Sequence, residues 1–274
     1  MRAYVRLSAG AAKPRPAVII CIGSLGLASG REALYADALC AAGIAAIVVD
    51  SFASRNFVET LSDQGRLSQA AACADVLYAL KHLAGDRCFA AGRIGLLGYS
   101  RGGATVLLAG DERLQAAVLG AKLRFAAQAA LYPSVWPRWQ NPRPADVPIL
   151  MIAGGRDDLA PLPMQKATVA RLQRCGASVE LIVCVDACHS FDAAHSAHRD
   201  DNNLNMSACD VVVDDRGVMH DLKSGCEDRG NWAEFVGAVA ATSATRGATT
   251  GHGPQGPGIA AQFVVDFFKR TLTV

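Results

Sequence analysis

Residues 94–103 read Ile-Gly-Leu-Leu-Gly-Tyr-Ser-Arg-Gly-Gly, an apolar run that ends in a G-x-S-x-G sequence centred on Ser100. An Ala- and Leu-rich stretch, residues 104–109, follows at once. This pattern predicts a buried strand, a sharp turn at the serine and a helix, an arrangement that lifts a nucleophile out of a sheet. In such a turn a Cβ at Gly98 or Gly102 would collide with neighbouring backbone, which accounts for glycine at both positions. Ser100 is therefore predicted to be a nucleophile.

The composition of the 274-residue chain is that of a globular protein, with 51% hydrophobic and 19% charged residues and a net charge of +2. So small a charge leaves no basic surface for nucleic acid, and no nucleic-acid partner is predicted. The chain lacks an apolar stretch of membrane-spanning length, so no membrane span is predicted either. Residues 1–6 alternate like a strand and lack a signal-peptide core, which predicts a cytoplasmic protein as written, and a secreted one only if a leader was removed.

Apolar runs of strand length alternate with helix-like segments along most of the chain. The predicted strands are 17–22, 44–49, 94–97, 125–131, 148–153 and 179–185, and the predicted helices are 67–84, 164–175, 259–270 and one that opens at Ser29 with Glu32 in a capping box. Strands buried on both faces indicate an α/β fold, with a mostly parallel central sheet and helices on both sides. We expect a single domain over residues 1–274, with the polar stretch 193–256 as an irregular insertion before the last helix.

Two further strand ends supply the groups that a serine nucleophile needs, namely a base and a carboxylate that orients the base. Asp157 and Asp158 follow the strand at 148–153, and the spacing Gly154-x-x-Asp157-x-x-x-Pro161 favours Asp157, with Asp158 as a solvated neighbour. His189 follows the next strand. Ser100, Asp157 and His189 thus stand in the chain order that this type of sheet requires.

The remaining site predictions concern the oxyanion and the substrate. We expect the backbone N–H of Arg101 to stabilise an oxyanion, together with that of Ser24 or Leu25 in the loop after the first buried strand. Residues near strand ends that could line a substrate pocket are Phe52, Tyr132, Trp136 and Trp139, and Arg55 or Arg101 would favour an ester with a free carboxylate if it faced the site.

The nine cysteines and the histidines give no metal signal. No C-x-x-C occurs, and His195 and His198 match no recognised ligand spacing, so neither a metal nor a cofactor is predicted. Cys209 and Cys226 lie in a polar, loop-like region. A disulfide between them would suit an exported protein, and free thiols would suit a cytosolic one.

The motifs together resemble the α/β-hydrolases and, within that fold, the dienelactone hydrolase-like group. The resemblance covers roughly residues 15–192 and the last helix, and the segments that carry it are 43–52, 98–103, 132–133, 154–161 and 187–191. Typical members have cysteine at the turn, an acidic residue after the early strand and a His-Gly pair opening the oxyanion loop. Here the turn has Ser100 and the loop reads Ile22-Gly23-Ser24. These departures point away from dienelactone hydrolysis and toward a more general serine esterase.

The resemblance implies a cofactor-free serine hydrolase that cleaves a small carboxylic ester through an acyl-enzyme. Three alternatives stay open: an amidase or peptidase with the same triad, an acyltransferase, and a non-catalytic binding module on this fold. A homodimer is also left open.

Overall fold

The computed structural model describes residues 2–7, 14–120 and 123–273. Its strands are β1 (Arg2–Arg6), β2 (Arg15–Cys21), β3 (Ala45–Asp50), β4 (Phe89–Tyr99), β5 (Gln128–Leu131), β6 (Pro137–Trp139), β7 (Ile149–Gly154), β8 (Val179–Cys184), β9 (His198–Asn205), β10 (Val211–Val213), β11 (Met219–Asp221) and β12 (Thr245–Thr250). Its helices are α1 (Arg31–Ala41), α2 (Gln69–Ala84), α3 (Arg101–Ala109), α4 (Glu112–Leu119), α5 (Leu162–Arg174), α6 (Trp232–Ser243) and α7 (Gly258–Leu272). No helix in these ranges is long and apolar enough to cross a membrane.

The central sheet has seven strands in the order β1-β3-β2-β4-β5-β7-β8. Strand β1 runs antiparallel to β3, and all the other neighbours in this sheet are parallel. The predicted mostly parallel α/β fold is therefore confirmed. The chain moves outward from β2 to β3 and then returns to place β4 on the other side of β2, which brings the loops after β2 and β4 side by side at the carboxyl edge. Ligands of parallel sheets bind at such a reversal of strand order.

Side chains alternate between two cores, one on each face of the sheet, because successive residues of a strand point to opposite sides. Along β2, Ala17, Ile19 and Cys21 join the core on the side of α2. Val18 and Ile20 join the core formed with α1 and α7. Burial of each large aliphatic side chain contributes about 1.5–3 kcal/mol, so a strand with two apolar faces is stable only when helices cover both.

The first predicted helix begins later than the sequence indicates. Helix α1 starts at Arg31, after Gly30 in a left-handed conformation (φ 68°). The hydroxyl of Ser29 donates to the carboxylate of Glu32 at 3.2 Å, so the two side chains bond to each other and no capping box forms. Helix α4 and strand β6 were not predicted, since their short segments carry only weak periodicity.

The segment 193–256 contains four strands and a helix, and is more regular than its polar sequence predicts. Strands β9 and β12 pair with each other, and β10 joins β6 from the main body of the chain. Asp158 ties the segment to the end of β7, since its carboxylate accepts a hydrogen bond from the N–H of Thr249 at 2.9 Å. Asp158 is thus an anchor for the insertion and not merely a solvated neighbour. Cys209 and Cys226 are free thiols in the structure, so the disulfide is absent.

Candidate active site

Ser100 occupies the turn between β4 and α3, where its backbone has φ 54° and ψ −119°. A positive φ is uncommon for a residue with a side chain, costs about 1–3 kcal/mol and persists only where the surroundings enforce it. Here the N–H of Ser100 donates to the carbonyl of Leu131 at 3.0 Å, and its carbonyl accepts from the N–H groups of Ala104 and Ser134, both at 3.1 Å. Three backbone hydrogen bonds therefore hold the turn in its strained form.

The two glycines of the turn are required by close backbone approach, as predicted. A Cβ at Gly98 would lie 2.4 Å from the carbonyl oxygen of Gly102. A Cβ at Gly102 would lie 2.3 Å from the carbonyl oxygen of Cys21, at the end of β2. Both distances are far shorter than van der Waals contact, so the turn packs tightly against the neighbouring strand only because both residues lack a side chain.

The structure brings Ser100, His189 and Asp157 into one hydrogen-bonded row. The Oγ of Ser100 lies 2.9 Å from Nε2 of His189, and Nδ1 of His189 lies 2.9 Å from Oδ2 of Asp157. The other carboxylate oxygen, Oδ1, accepts from the N–H groups of Leu159 and Ala160 at 2.9 and 2.7 Å. Because an ionised carboxylate only accepts hydrogen bonds, Nδ1 carries the ring proton. The lone pair of Nε2 is then free to accept the hydroxyl proton of Ser100.

A buried carboxylate, Asp192, supports the histidine ring through Tyr132. Asp192 is 2% exposed and accepts hydrogen bonds from the hydroxyls of Tyr35 and Tyr132, the second at 2.5 Å. The Nε of Arg31 lies 3.6 Å from its Oδ1. Burial, and then the charge of Asp192, raise the pKa of both phenols well above the usual range, so both remain protonated donors. The ring of Tyr132 in turn meets that of His189 edge to face, with 4.8 Å between centroids.

Ser100 and His189 open into a cavity of about 360 Å³. Trp136 lines it, as predicted, but Phe52 and Tyr132 do not. Phe52 is 2% exposed and packs against Phe57, with 5.1 Å between ring centroids. Tyr132 is completely buried and lies behind His189. The prediction that these two aromatic residues line the pocket is therefore wrong.

The insertion forms a large part of the cavity wall, which the sequence did not reveal. Its contributions are His195, His198, Asp200, Asn203, Leu204, Met206 and Thr250. It also contacts the histidine loop directly, since the N–H of Gly251 donates to the carbonyl of His189 at 2.9 Å. The rings of His195 and His198 meet edge to face at 4.8 Å. Within the described ranges, no group of three or more His, Cys, Asp or Glu side chains is placed to hold a metal ion.

The candidate oxyanion donors lie at the same cavity. Arg101 is the first residue of α3, so its N–H has no acceptor within the helix and lies at the positive end of the helix dipole. Ser24 and Leu25 both line the cavity, and the carbonyl of Ser24 accepts from the N–H of Thr60 at 2.7 Å. The choice between Ser24 and Leu25 stays a prediction.

The two arginines considered for a substrate carboxylate differ in position. Arg55 is absent from the cavity wall and pairs with Asp75 at 2.7 and 3.1 Å. Arg101 does line the cavity, but its guanidinium is held by the side chain of Gln64 and the carbonyl of Leu67. Burial lowers the pKa of Arg101 to about 10, so the side chain stays charged at neutral pH.

Several solved structures are similar to this one. Similar solved structures include the carboxylesterase Cest-2923 from Lactobacillus plantarum (19% identity, TM-score 0.52, covering 69% of this chain and 79% of that one). Est2, a thermophilic esterase from Thermogutta terrifontis, matches with 15% identity and TM-score 0.54, covering 70% and 79%. P91, a dienelactone hydrolase-like promiscuous phosphotriesterase from metagenomic libraries, matches with 18% identity and TM-score 0.54, covering 69% and 78%. A search of curated proteins finds no match.

These likenesses show the α/β-hydrolase fold. The sequence model of the dienelactone hydrolase family matches residues 1–213, and the chain belongs to that family.

Proposed function

We propose that this protein hydrolyses small carboxylic esters through an acyl-enzyme, with Ser100 as nucleophile, His189 as general base and acid, and Asp157 as the carboxylate that orients the histidine. The observation that carries the proposal is the row of two 2.9 Å contacts from Ser100 Oγ through the imidazole to Asp157, at the wall of an open cavity. A serine hydroxyl is a weak nucleophile at its ordinary pKa, and this row supplies the base that activates it.

The reaction follows from the positions of these groups. Nε2 of His189 takes the hydroxyl proton as Ser100 Oγ attacks the acyl carbon, and the imidazolium then gives that proton to the leaving alcohol. Water then gives a proton to Nε2, and the resulting hydroxide attacks the acyl carbon of the acyl-enzyme. The bond to Ser100 Oγ breaks, the imidazolium returns its proton to that oxygen, and the carboxylic acid product leaves. Asp157 stays ionised throughout and stabilises the imidazolium. Each oxyanion donor supplies about 3–4 kcal/mol of transition-state stabilisation.

The cavity supports small substrates. Its volume of about 360 Å³ is at the lower end of the range for small-molecule sites. Leu25, Leu61 and Leu159 provide apolar contact for an acyl chain, while the insertion adds mainly polar groups. Short-chain esters are therefore the substrates of first choice.

The test compares Ser100→Ala with Ser134→Ala. Both serines line the cavity, and each substitution removes a single hydroxyl oxygen. Ser100→Ala should abolish hydrolysis of p-nitrophenyl acetate and labelling by a fluorophosphonate. Ser134→Ala should retain both. Wild-type protein that neither hydrolyses esters nor takes the label would refute the proposed function and favour a binding module.

Two further measurements separate hydrolysis of esters from the other activities that the same residues could support. The ester and the anilide of one short acid compare esterase with amidase activity, and the ester should react much faster. Added alcohols test for acyl transfer. Transfer that outruns hydrolysis in water would identify an acyltransferase.

A further inference from the structure

The side chain of Gln64 lies between the two backbone segments that would stabilise the oxyanion. Its Nε2 donates to the hydroxyl of Ser24 at 3.2 Å, and its Oε1 accepts from Nη1 of Arg101 at 3.0 Å. The orientation of the amide is determined by the second contact, because a guanidinium only donates hydrogen bonds. One amide group therefore links the loop after β2 to the first residue of α3.

Arg101 depends on this contact. The residue is 4% exposed, and among the described residues no carboxylate forms an ion pair with its guanidinium. The acceptors that hold it are the amide oxygen of Gln64 and the carbonyl of Leu67. A buried cation without hydrogen-bond acceptors is costly, so removal of Gln64 would free the guanidinium to move toward other acceptors or water.

Gln64 is itself held by the insertion. The Nε1 of Trp232, the first residue of α6, donates to the carbonyl of Gln64 at 2.9 Å. The turn around Gln64 also packs closely on that helix, because a Cβ at Gly65 would lie 3.1 Å from Cα of Ala233. The insertion therefore reaches both walls of the site, the histidine loop through Gly251 and the oxyanion side through Trp232.

We propose that Gln64 is a positioning residue for the oxyanion hole, and that Trp232 of the insertion holds it in place. The proposal rests on the proposed function, because the role of Gln64 is to fix the distance between two oxyanion donors. These donors are the N–H of Arg101 and the N–H of Ser24 or Leu25. Oxyanion donors act only when they lie within hydrogen-bond distance of the developing charge, and a displacement of 1 Å can cost about 100-fold in rate. Gln64 thus contributes to the transition state without touching the reacting atoms.

The test uses Gln64→Met in the full-length protein, which keeps the length of the side chain and removes both hydrogen bonds. We expect kcat for p-nitrophenyl acetate to fall about 10-fold with KM within about 2-fold. Binding of a trifluoromethyl ketone, which forms a tetrahedral adduct with the serine, should weaken about as much as kcat. Gln173→Met is the control, because it makes the same substitution at an exposed glutamine whose amide donates to the carbonyl of Val179 and which does not line the cavity.

Trp232→Phe provides the second arm, since it keeps an aromatic ring against Phe235 and loses only the Nε1 donor. We expect a smaller loss of kcat, about 3-fold, and no further loss when it is added to Gln64→Met, because both changes act through one group.

The outcomes separate the two proposals. Ester hydrolysis that is absent from wild-type protein defeats the proposed function before Gln64 is tested. If the wild type is active, three results would refute the role of Gln64. Gln64→Met could leave kcat unchanged, it could raise KM alone, or its effect could add fully to that of Trp232→Phe. A Gln64→Met protein that is unfolded by circular dichroism is replaced by Gln64→Asn, which must show the same fall in kcat at constant KM.

Discussion

Asp157→Asn tests the orientation of the histidine most directly. Two backbone N–H groups, from Leu159 and Ala160, donate to Oδ1 of Asp157. The amide oxygen of the asparagine must take that position, because an amide NH₂ there would face two donors. The NH₂ group then faces Nδ1 of His189, where it donates a hydrogen bond and forces the ring proton onto Nε2. An Nε2 that carries a proton cannot accept the proton of Ser100.

The expected loss is about 10⁴-fold in kcat, the size associated with a wrong imidazole tautomer, which corresponds to about 5 kcal/mol. The fold should survive, since asparagine has the same shape as aspartate and keeps the contacts to Leu159 and Ala160. Steady-state hydrolysis of p-nitrophenyl acetate at neutral pH measures the loss, and thermal unfolding confirms that the protein remains folded.

The neighbouring Asp158→Asn is the matched control. Its amide oxygen can still accept from the N–H of Thr249, so we expect kcat to change by less than about 3-fold. Asp157→Asn protein with more than a tenth of the wild-type kcat would refute the reasoning, and so would an equal loss in Asp158→Asn.

Three further predictions concern stability. Gly102→Ala should abolish soluble folding, or lower the free energy of unfolding measured in urea by more than about 3 kcal/mol, because its Cβ would lie 2.3 Å from a backbone oxygen. The control Gly92→Ala should be nearly neutral, because a Cβ at Gly92 would have no atom within 4 Å. Tyr132→Phe should cost about 1–3 kcal/mol by the same measurement, because buried Asp192 loses one of its donors, and a cost near zero would contradict the role given to that hydroxyl. Burial raises the pKa of Glu32 in the folded protein above its ordinary value, so the folded state binds the proton more tightly and stability falls as pH rises through the folded pKa. Glu32→Gln should therefore gain stability relative to wild type as pH rises above about 4.5, and parallel pH curves for the two proteins would rule this out.

The parts of the site that could be predicted from the sequence are those that short patterns encode. The turn at Ser100 needs a strand, two glycines and a helix within a dozen residues, and Asp157 and His189 lie in the loops that follow β7 and β8. The order of the strands in the sheet brings these three loops together. The positions of the strand ends in the sequence are therefore sufficient to predict that the three side chains meet.

The pocket could not be predicted in the same way, because position along a strand does not determine where a side chain points. Tyr132 directly follows β5, yet its backbone adopts φ 33° and its ring lies beneath His189 instead of in the cavity. Phe52 follows β3 and turns into the core. The direction of a side chain at such a position depends on the conformation of the turn, which residue type alone does not encode.

The contribution of the insertion was also beyond sequence reasoning, because its contacts join distant residues. The bond from Trp232 to Gln64 spans 168 residues, and that from Thr249 to Asp158 spans 91. No local pattern predicts such pairs, since each depends on how the completed sheet presents its loops. The polar composition of residues 193–256 therefore does not reveal the strands and the helix that this segment forms.

The backbone of Ser100 restricts which nucleophiles the site can use. At φ 54° a β-branched side chain is a strong outlier, so threonine would be excluded, whereas cysteine places its single sulfur where the serine oxygen lies. The backbone conformation of this turn therefore accepts serine and cysteine equally. A serine-to-cysteine substitution at this position would therefore exchange an oxygen nucleophile for a sulfur one without a change in the shape of the turn.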